Sequence, residues 1–217
     1  MLAIYYHIIP ENFDVKALKK EVRYLPKLIQ KKLSNYQNHH NWKSSAIGYL
    51  LLKQALLNEN QSQLLKNFSY AETGKPIFQN SNWHFNISHS ESFVICVLCN
   101  NSEIGIDVQA YKKLQIERYK RHFNADEWEQ IITQSDVSKA FCQLWSKKEA
   151  VIKADGRGLD IPLKDVKISD NNQVNLYQED WILTELNLHG NYTIHLATKR
   201  KFEDYKIIES KYQIIRS

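Results

Sequence analysis

The chain is poor in the residues that break or staple a fold. It has six Gly and four Pro in 217 residues, too few for a disordered chain or a fibrous repeat. Cysteine is scarce as well. Cys96, Cys99 and Cys142 make an odd set that gives no disulfide framework. Cys96 and Cys99 have C-x-x-C spacing but lie inside the apolar run 93–99. On a strand, positions three apart point to opposite faces, so the pair reads as buried small hydrophobes rather than a shared zinc or redox site. This cysteine usage is expected of a reducing cytoplasm. Long apolar runs are missing: nothing approaches the roughly 20 residues that a membrane helix needs. The N-terminal run 2–9 is interrupted by His7 and closed by Pro10. It has no basic leader and no small-residue cleavage site, so it is expected to be a first strand and not a signal peptide.

What is present fits a globular enzyme-sized chain. Hydrophobic residues make up 43% and charged residues 24%, ordinary for a soluble domain. Aromatics reach 12%, with twelve Tyr and five Trp, enough for a core of useful size. The length suits one large domain or two small ones. A net charge of +5 favours an acidic partner or an anionic ligand. Charge alone leaves nucleic acid, a membrane surface, a phosphorylated cofactor and an acidic protein open. With no zinc-finger spacing, RNA-recognition signature or dense basic stripe, a nucleic-acid partner is not expected.

Along the chain, residues 15–33 carry apolar positions at a near-helical period, and Pro26 is placed to kink or split them. Residues 42–57 form a second helical stretch. A turn at 73–76 leads to short strands over 83–87, 93–99 and 104–108, with Asn100-Asn101 suggesting a hairpin turn between the last two. Helical patterns return over 126–133 and 139–153, ended by Gly156 and Gly158. Strands are then expected over 166–168, 173–177, 181–186, 192–197 and 205–208. Strands and helices thus alternate in blocks, roughly twice. The expectation is an α+β architecture in two similar halves, residues 1–106 and 107–217.

Three segments have the residue types for chemistry. His84-Phe85-Asn86-Ile87-Ser88-His89-Ser90 ends a β-like run in two hydroxyls around an imidazole, all able to donate to phosphate oxygens. It also reads as a strand leaving the core through a polar turn. In Ile104-Gly105-Ile106-Asp107-Val108, alternation sets the branched residues on one face and Asp107 on the other, beside a glycine that allows close backbone approach. A carboxylate so placed is a typical hard-cation ligand, or a surface acid on a solvated strand face. In Trp145-Ser146-Lys147-Lys148-Glu149-Ala150-Val151-Ile152-Lys153, Glu149 and Lys153 share a helix face. Two plainer readings compete there: a capping box started by Ser146 and a surface ion pair. Together, two acids, a lysine and an imidazole suit phosphoryl chemistry on a pyrophosphate.

Taken in order and spacing, these three segments resemble the motifs of the Sfp-type 4'-phosphopantetheinyl transferases. Gly74-Lys75-Pro76 before the first and Gly156-Arg157-Gly158-Leu159 after the third add to the likeness, which is clear over roughly residues 40–165. The resemblance implies two pseudo-symmetric α+β halves with the active site in the cleft between them. It implies coenzyme A as substrate and Mg²⁺ as cofactor. Asp107 and Glu149 correspond to metal ligands, with Glu149 also the base or its helper. Lys153 corresponds to the cation on the pyrophosphate, and Ser88 and His89 to phosphate ligands, His89 also stabilising the transition state. Lys75 corresponds to the loop lysine near the nucleotide and Ser45 to a 3'-phosphate hydroxyl, with Lys31 or Lys32 nearby. Many members carry Asp-x-Glu in the second motif; here it is Asp107-Val108-Gln109, so Gln109 is a metal contact through its amide oxygen or a water. The implied partner is an acyl or peptidyl carrier protein, docked on the basic stretch of Lys112, Lys113, Arg118, Lys120 and Arg121 with Tyr111, Leu114, Ile116 and Phe123 interleaved. A solvated basic helix is the plainer reading of that stretch. A cytoplasmic monomer is expected. Another coenzyme A-dependent enzyme, such as an acyltransferase with no metal requirement, is the competing reading.

Overall fold

In a computed structural model, residues 1–211 are described, apart from the side chain of Leu159. The chain runs β1 (Leu2–Ile8), α1 (Val15–Val22), α2 (Lys27–Ser34), α3 (His39–Asn58), β2 (Phe68–Tyr70), β3 (Pro76–Phe78), β4 (Trp83–Ser90) and β5 (Phe93–Asn100). It continues as β6 (Ile104–Ala110), α4 (Ala125–Ile132), α5 (Val137–Asp155), β7 (Gln173–Leu176), β8 (Glu179–Glu185), β9 (Tyr192–Thr198) and β10 (Lys206–Glu209). Pro26 splits the first helical pattern, standing just before α2 at φ −50 and ψ 144, an extended conformation that no helix can run through.

Two compact units result. One is Met1–Glu103 with the described residues from Phe202 onward, and the other is Ile104–Lys201. The sequence-derived halves divide instead at 106/107, inside the continuous strand β6, and residues 212–217 of the second half lie outside the described residues. β10 pairs in parallel with β1, which assigns Lys206–Glu209 to the first unit's sheet.

The first unit holds a four-stranded sheet in the order β10-β1-β5-β4 and a small β2-β3 pair. Helix α3 lies on the larger sheet, burying Ser44 to Leu52, Ala55 and Leu56. A Cβ on Gly48 would fall within 3.0 Å of the Ile87 side chain, so glycine is what lets α3 reach β4. The second unit repeats the plan: sheet β6-β9-β8-β7 carries α5, with Ala150, Val151, Ala154, Trp181 and Ala197 in its core. A second cluster packs Ile116, Phe123, Trp128, Ile131 and Phe141 around Trp145. Each unit is a sheet with one long helix, and the α+β class stands.

Three local expectations differ. Asn100-Asn101 closes no hairpin, because β5 and β6 belong to different sheets; Asn101, at φ 58, turns the chain from one to the other. Residues 166–168 form no strand, only a bridge from Ile168 to Val174, because Leu163–Asp165 forms a 3₁₀ turn that leaves too little extended chain to pair. α5 begins at Val137, where the Asp136 carboxylate accepts the Lys139 N–H at 2.9 Å. Ser146 therefore caps nothing. All three cysteines are free and buried.

Candidate functional site

The site grows from one close approach. Gly105 sits on the face of β6 that α5 covers, and a Cβ there would come closer than 3.0 Å to the Ala150 carbonyl and the Ala154 backbone. Only a glycine lets helix and strand touch at that point. Alternation then aims Asp107 and Gln109 from the same face, and the helix sets Glu149 and Lys153 over them.

Asp107 is almost wholly buried, at 2% exposure, and is held on both oxygens. Lys153 Nζ donates to Oδ1 at 2.5 Å, and Gln109 Nε2 donates to Oδ2 at 2.9 Å. Ser146 Oγ donates to the Asp107 backbone carbonyl at 3.1 Å, fixing the helix on the strand. Lys153 thus reaches across from the helix to the buried Asp107, and this pair is no solvated surface bridge on α5. Glu149 lies close enough to feel both charges. Burial raises its carboxyl above the ordinary glutamate range, the Lys153 ammonium pulls it down, and the Asp107 charge raises it again. Four residues from two distant motifs, Asp107, Gln109, Glu149 and Lys153, therefore come together within the 104–201 unit.

The donor set suits a small hard cation. Among the described residues no three His, Cys, Asp or Glu side chains form a metal cage. Mg²⁺ does not require one: it keeps several waters and is held by one or two carboxylates plus substrate phosphates. Two neighbouring carboxylates, Asp107 and Glu149, beside the Gln109 amide fit that pattern. Gln109 presents its nitrogen to Asp107, so any metal contact by this residue is left to its oxygen, Oε1.

The other sequence-derived positions lie in the first unit. Ser88 and His89 are within β4, which extends through Ser90, so the first motif is strand to its end rather than a polar turn after one. Alternation puts Ser88 and His89 on opposite faces of β4; Ser88 is buried and His89 partly so. Ser45 is buried on α3, one turn before Gly48. Lys75 lines a cavity of about 170 Å³ with Pro76, Phe78, Trp83 and Phe85. Lys31 and Lys32 end α2, and Lys32 Nζ stands 4.9 Å from the Tyr70 ring centroid.

Sequence reasoning missed two neighbours of Asp107. His195 faces it across the β6–β9 ladder, and burial lowers its imidazole to about 3, helped by the Lys147 charge. Ser146, weighed only as a cap, is a strand contact. No spacing signal reveals either, because both depend on which strand and helix pack on β6.

Residues 103–208 match the profile of the 4'-phosphopantetheinyl transferase superfamily. The chain is 32% identical over 158 residues to 4'-phosphopantetheinyl transferase gsp from Aneurinibacillus migulanus, covering 70% of this chain and 65% of that one. It is 35% identical over 146 residues to 4'-phosphopantetheinyl transferase Sfp from Bacillus subtilis, covering 64% of this chain and 61% of the relative. It is 34% identical over 110 residues to 4'-phosphopantetheinyl transferase HetI from Nostoc, covering 47% of this chain and 46% of that one. The matched stretches thus span just under two thirds of the length of the first two curated relatives. With three ordered motifs and these matches, the chain is similar to the 4'-phosphopantetheinyl transferases over roughly half to two thirds of its length.

Proposed function

We propose that this chain transfers the 4'-phosphopantetheine arm of coenzyme A to a serine hydroxyl of an acyl or peptidyl carrier protein, releasing 3',5'-ADP. The observation that carries the reading is the meeting of Asp107, Glu149 and Lys153 at the contact of β6 with α5. Mg²⁺ held by Asp107, Glu149 and the Gln109 oxygen would act as a Lewis acid on the pyrophosphate. Glu149 takes the serine proton. Its raised pKa brings it nearer to neutrality and makes it a better base than an ordinary carboxylate. The serine oxygen bonds to the β-phosphorus as the bond to the bridging oxygen breaks. Lys153 turns from Asp107 to the charge growing on the α-phosphate of the departing 3',5'-ADP, a preorganised cation of the kind that dominates such reactions. Lys75, Ser88, His89 and Ser45 bind the phosphates and nucleotide of coenzyme A. The reading includes action as a cytoplasmic monomer, in keeping with three free, buried cysteines.

The test is mass spectrometry of several apo carrier proteins incubated with this protein, coenzyme A and Mg²⁺, with an EDTA control. Gain of one phosphopantetheine on the carrier serine, lost with EDTA, is expected. No gain on any carrier refutes the activity, and EDTA-insensitive transfer refutes the metal role.

A further inference from the structure

Helix α5 is held along two stripes. One lies on β6: Cys142 Sγ is 3.6 Å from the Ala110 carbonyl, Ser146 bonds the Asp107 carbonyl, and Ala150 and Ala154 abut Gly105. The other stripe carries Lys148, whose side chain is fully buried. Its ammonium donates to three oxygens: Glu127 Oε1 at 2.6 Å, the Val166 carbonyl at 2.6 Å and the Leu163 carbonyl at 3.1 Å. An ammonium has three N–H donors, so each has its acceptor. Glu127 is fixed in turn, since its Oε2 accepts the Asn124 N–H at 3.0 Å. Asn124 Nδ2 donates to the Lys164 carbonyl, also at 3.0 Å. One buried cation thus ties α5 to the first turn of α4 and to the chain at 163–166.

Stability is a poor explanation for this arrangement. Buried ion pairs are often replaced by apolar residues at no loss. What three directed bonds supply, and apolar packing does not, is a fixed rotation and axial register for the helix. Lys148 is the immediate neighbour of Glu149. A helix with side chains has a radius of about 5–6 Å, so a roll of roughly 20° would carry the Glu149 carboxylate about 2 Å. A misplacement of about 1 Å can cost on the order of a hundredfold in rate.

We propose that Lys148 is a positioning residue: by locking α5 to Glu127 and to the Leu163 and Val166 carbonyls, it holds Glu149 in register with Asp107. This rests on the reading of those two acids as the reacting centre. The experiment compares the full-length wild type with Lys148→Met and with the double variant Lys148→Met/Glu127→Leu, in which the stranded carboxylate is removed as well. Each is measured for melting temperature, for Mn²⁺ binding with coenzyme A by electron paramagnetic resonance, and for transfer. The single variant is expected to be strongly destabilised. The double variant is expected to recover at least half the lost melting temperature, yet to keep kcat at least tenfold down, KM for coenzyme A within twofold, and Mn²⁺ binding at least fivefold weaker. Wild-type kcat or wild-type Mn²⁺ affinity in the folded double variant overturns the proposal. If the double variant does not fold, Glu127→Gln is read by the same two measurements: a fall in both supports the role, and a wild-type value in either overturns it. A wild type that binds Mn²⁺ but transfers nothing defeats the transferase reading, and the Mn²⁺ comparison then decides on Lys148. A wild type that does neither defeats both.

Discussion

At the scale of single residues, the site holds two acids at a cost. Glu149 has a raised pKa, from burial first, with Lys153 opposing and Asp107 adding. A carboxyl raised in the folded state contributes stability below its unfolded pKa and loses it as pH rises through the folded value. Glu149→Gln should therefore raise the melting temperature at neutral pH in EDTA. The gain should vanish as pH falls to about 4, where the unfolded glutamate also takes up its proton; scanning calorimetry across that range checks it. The same change, or Asp107→Ala, should lower turnover by about a hundredfold or more, the scale of losing one electrostatic stabiliser, read in the carrier assay. His195 has the opposite sign. Its imidazole is lowered to about 3, so between about pH 6.5 and that value the unfolded chain binds a proton that the fold refuses. Stability should fall with acid through this window by roughly 1.4 kcal/mol per pH unit. His195→Gln should flatten the slope in urea titrations. Asp107 was legible as a special acid because an acid beside glycine breaks an apolar alternation. His195 was not, since its role depends on strand register that spacing does not encode.

At the scale of elements, the site depends on how closely α5 approaches β6. Gly105→Ala would drive a methyl into the Ala150 and Ala154 backbone, and backbone cannot step aside as a side chain can. A loss of about 3 kcal/mol or more is expected, measurable by chemical denaturation, with transfer falling in whatever remains folded. The β7–β8 turn offers the reverse case. Tyr177 and Gln178 both take positive φ, 50 and 72. Tyr177 gains by its place: its hydroxyl donates to Asp165 Oδ2 at 2.6 Å and the Arg157 guanidinium lies 4.5 Å from its ring centroid. Exposed Gln178 is the better target. Gln178→Gly should stabilise by about 1 kcal/mol, seen as a melting temperature higher by about 2–4 °C. Periodicity and Pro26 made most helices and strands legible in advance. The absent strand at 166–168 and the absent hairpin at 100–101 were misread because turn chemistry and apolar runs look alike whether or not a partner strand is beside them.

At the scale of the molecule, charge and partition matter most. Lys112, Lys113, Arg118, Lys120 and Arg121 are exposed, while Ile116 and Phe123, read from sequence as apolar anchors, are buried in the aromatic cluster around Trp128 and Phe141. The surface left to a partner there is largely charge. For an acidic carrier this means steering more than tight packing. Charge reversal at Lys112 and Arg118 should raise KM for the carrier several-fold, leave KM for coenzyme A unchanged, and weaken the salt dependence of the reaction. Steady-state kinetics with each substrate varied in turn checks all three.

The order of three motifs, the α+β class and the identity of the two acids were determined by the sequence itself, because residue type and short-range period are local properties. Tertiary structure alone decided that Lys153 pairs with Asp107, that Lys148 is fully buried among three oxygens, and that β10 returns to β1. Those facts depend on which distant segments pack together, and long-range pairing leaves no mark in the spacing of either partner.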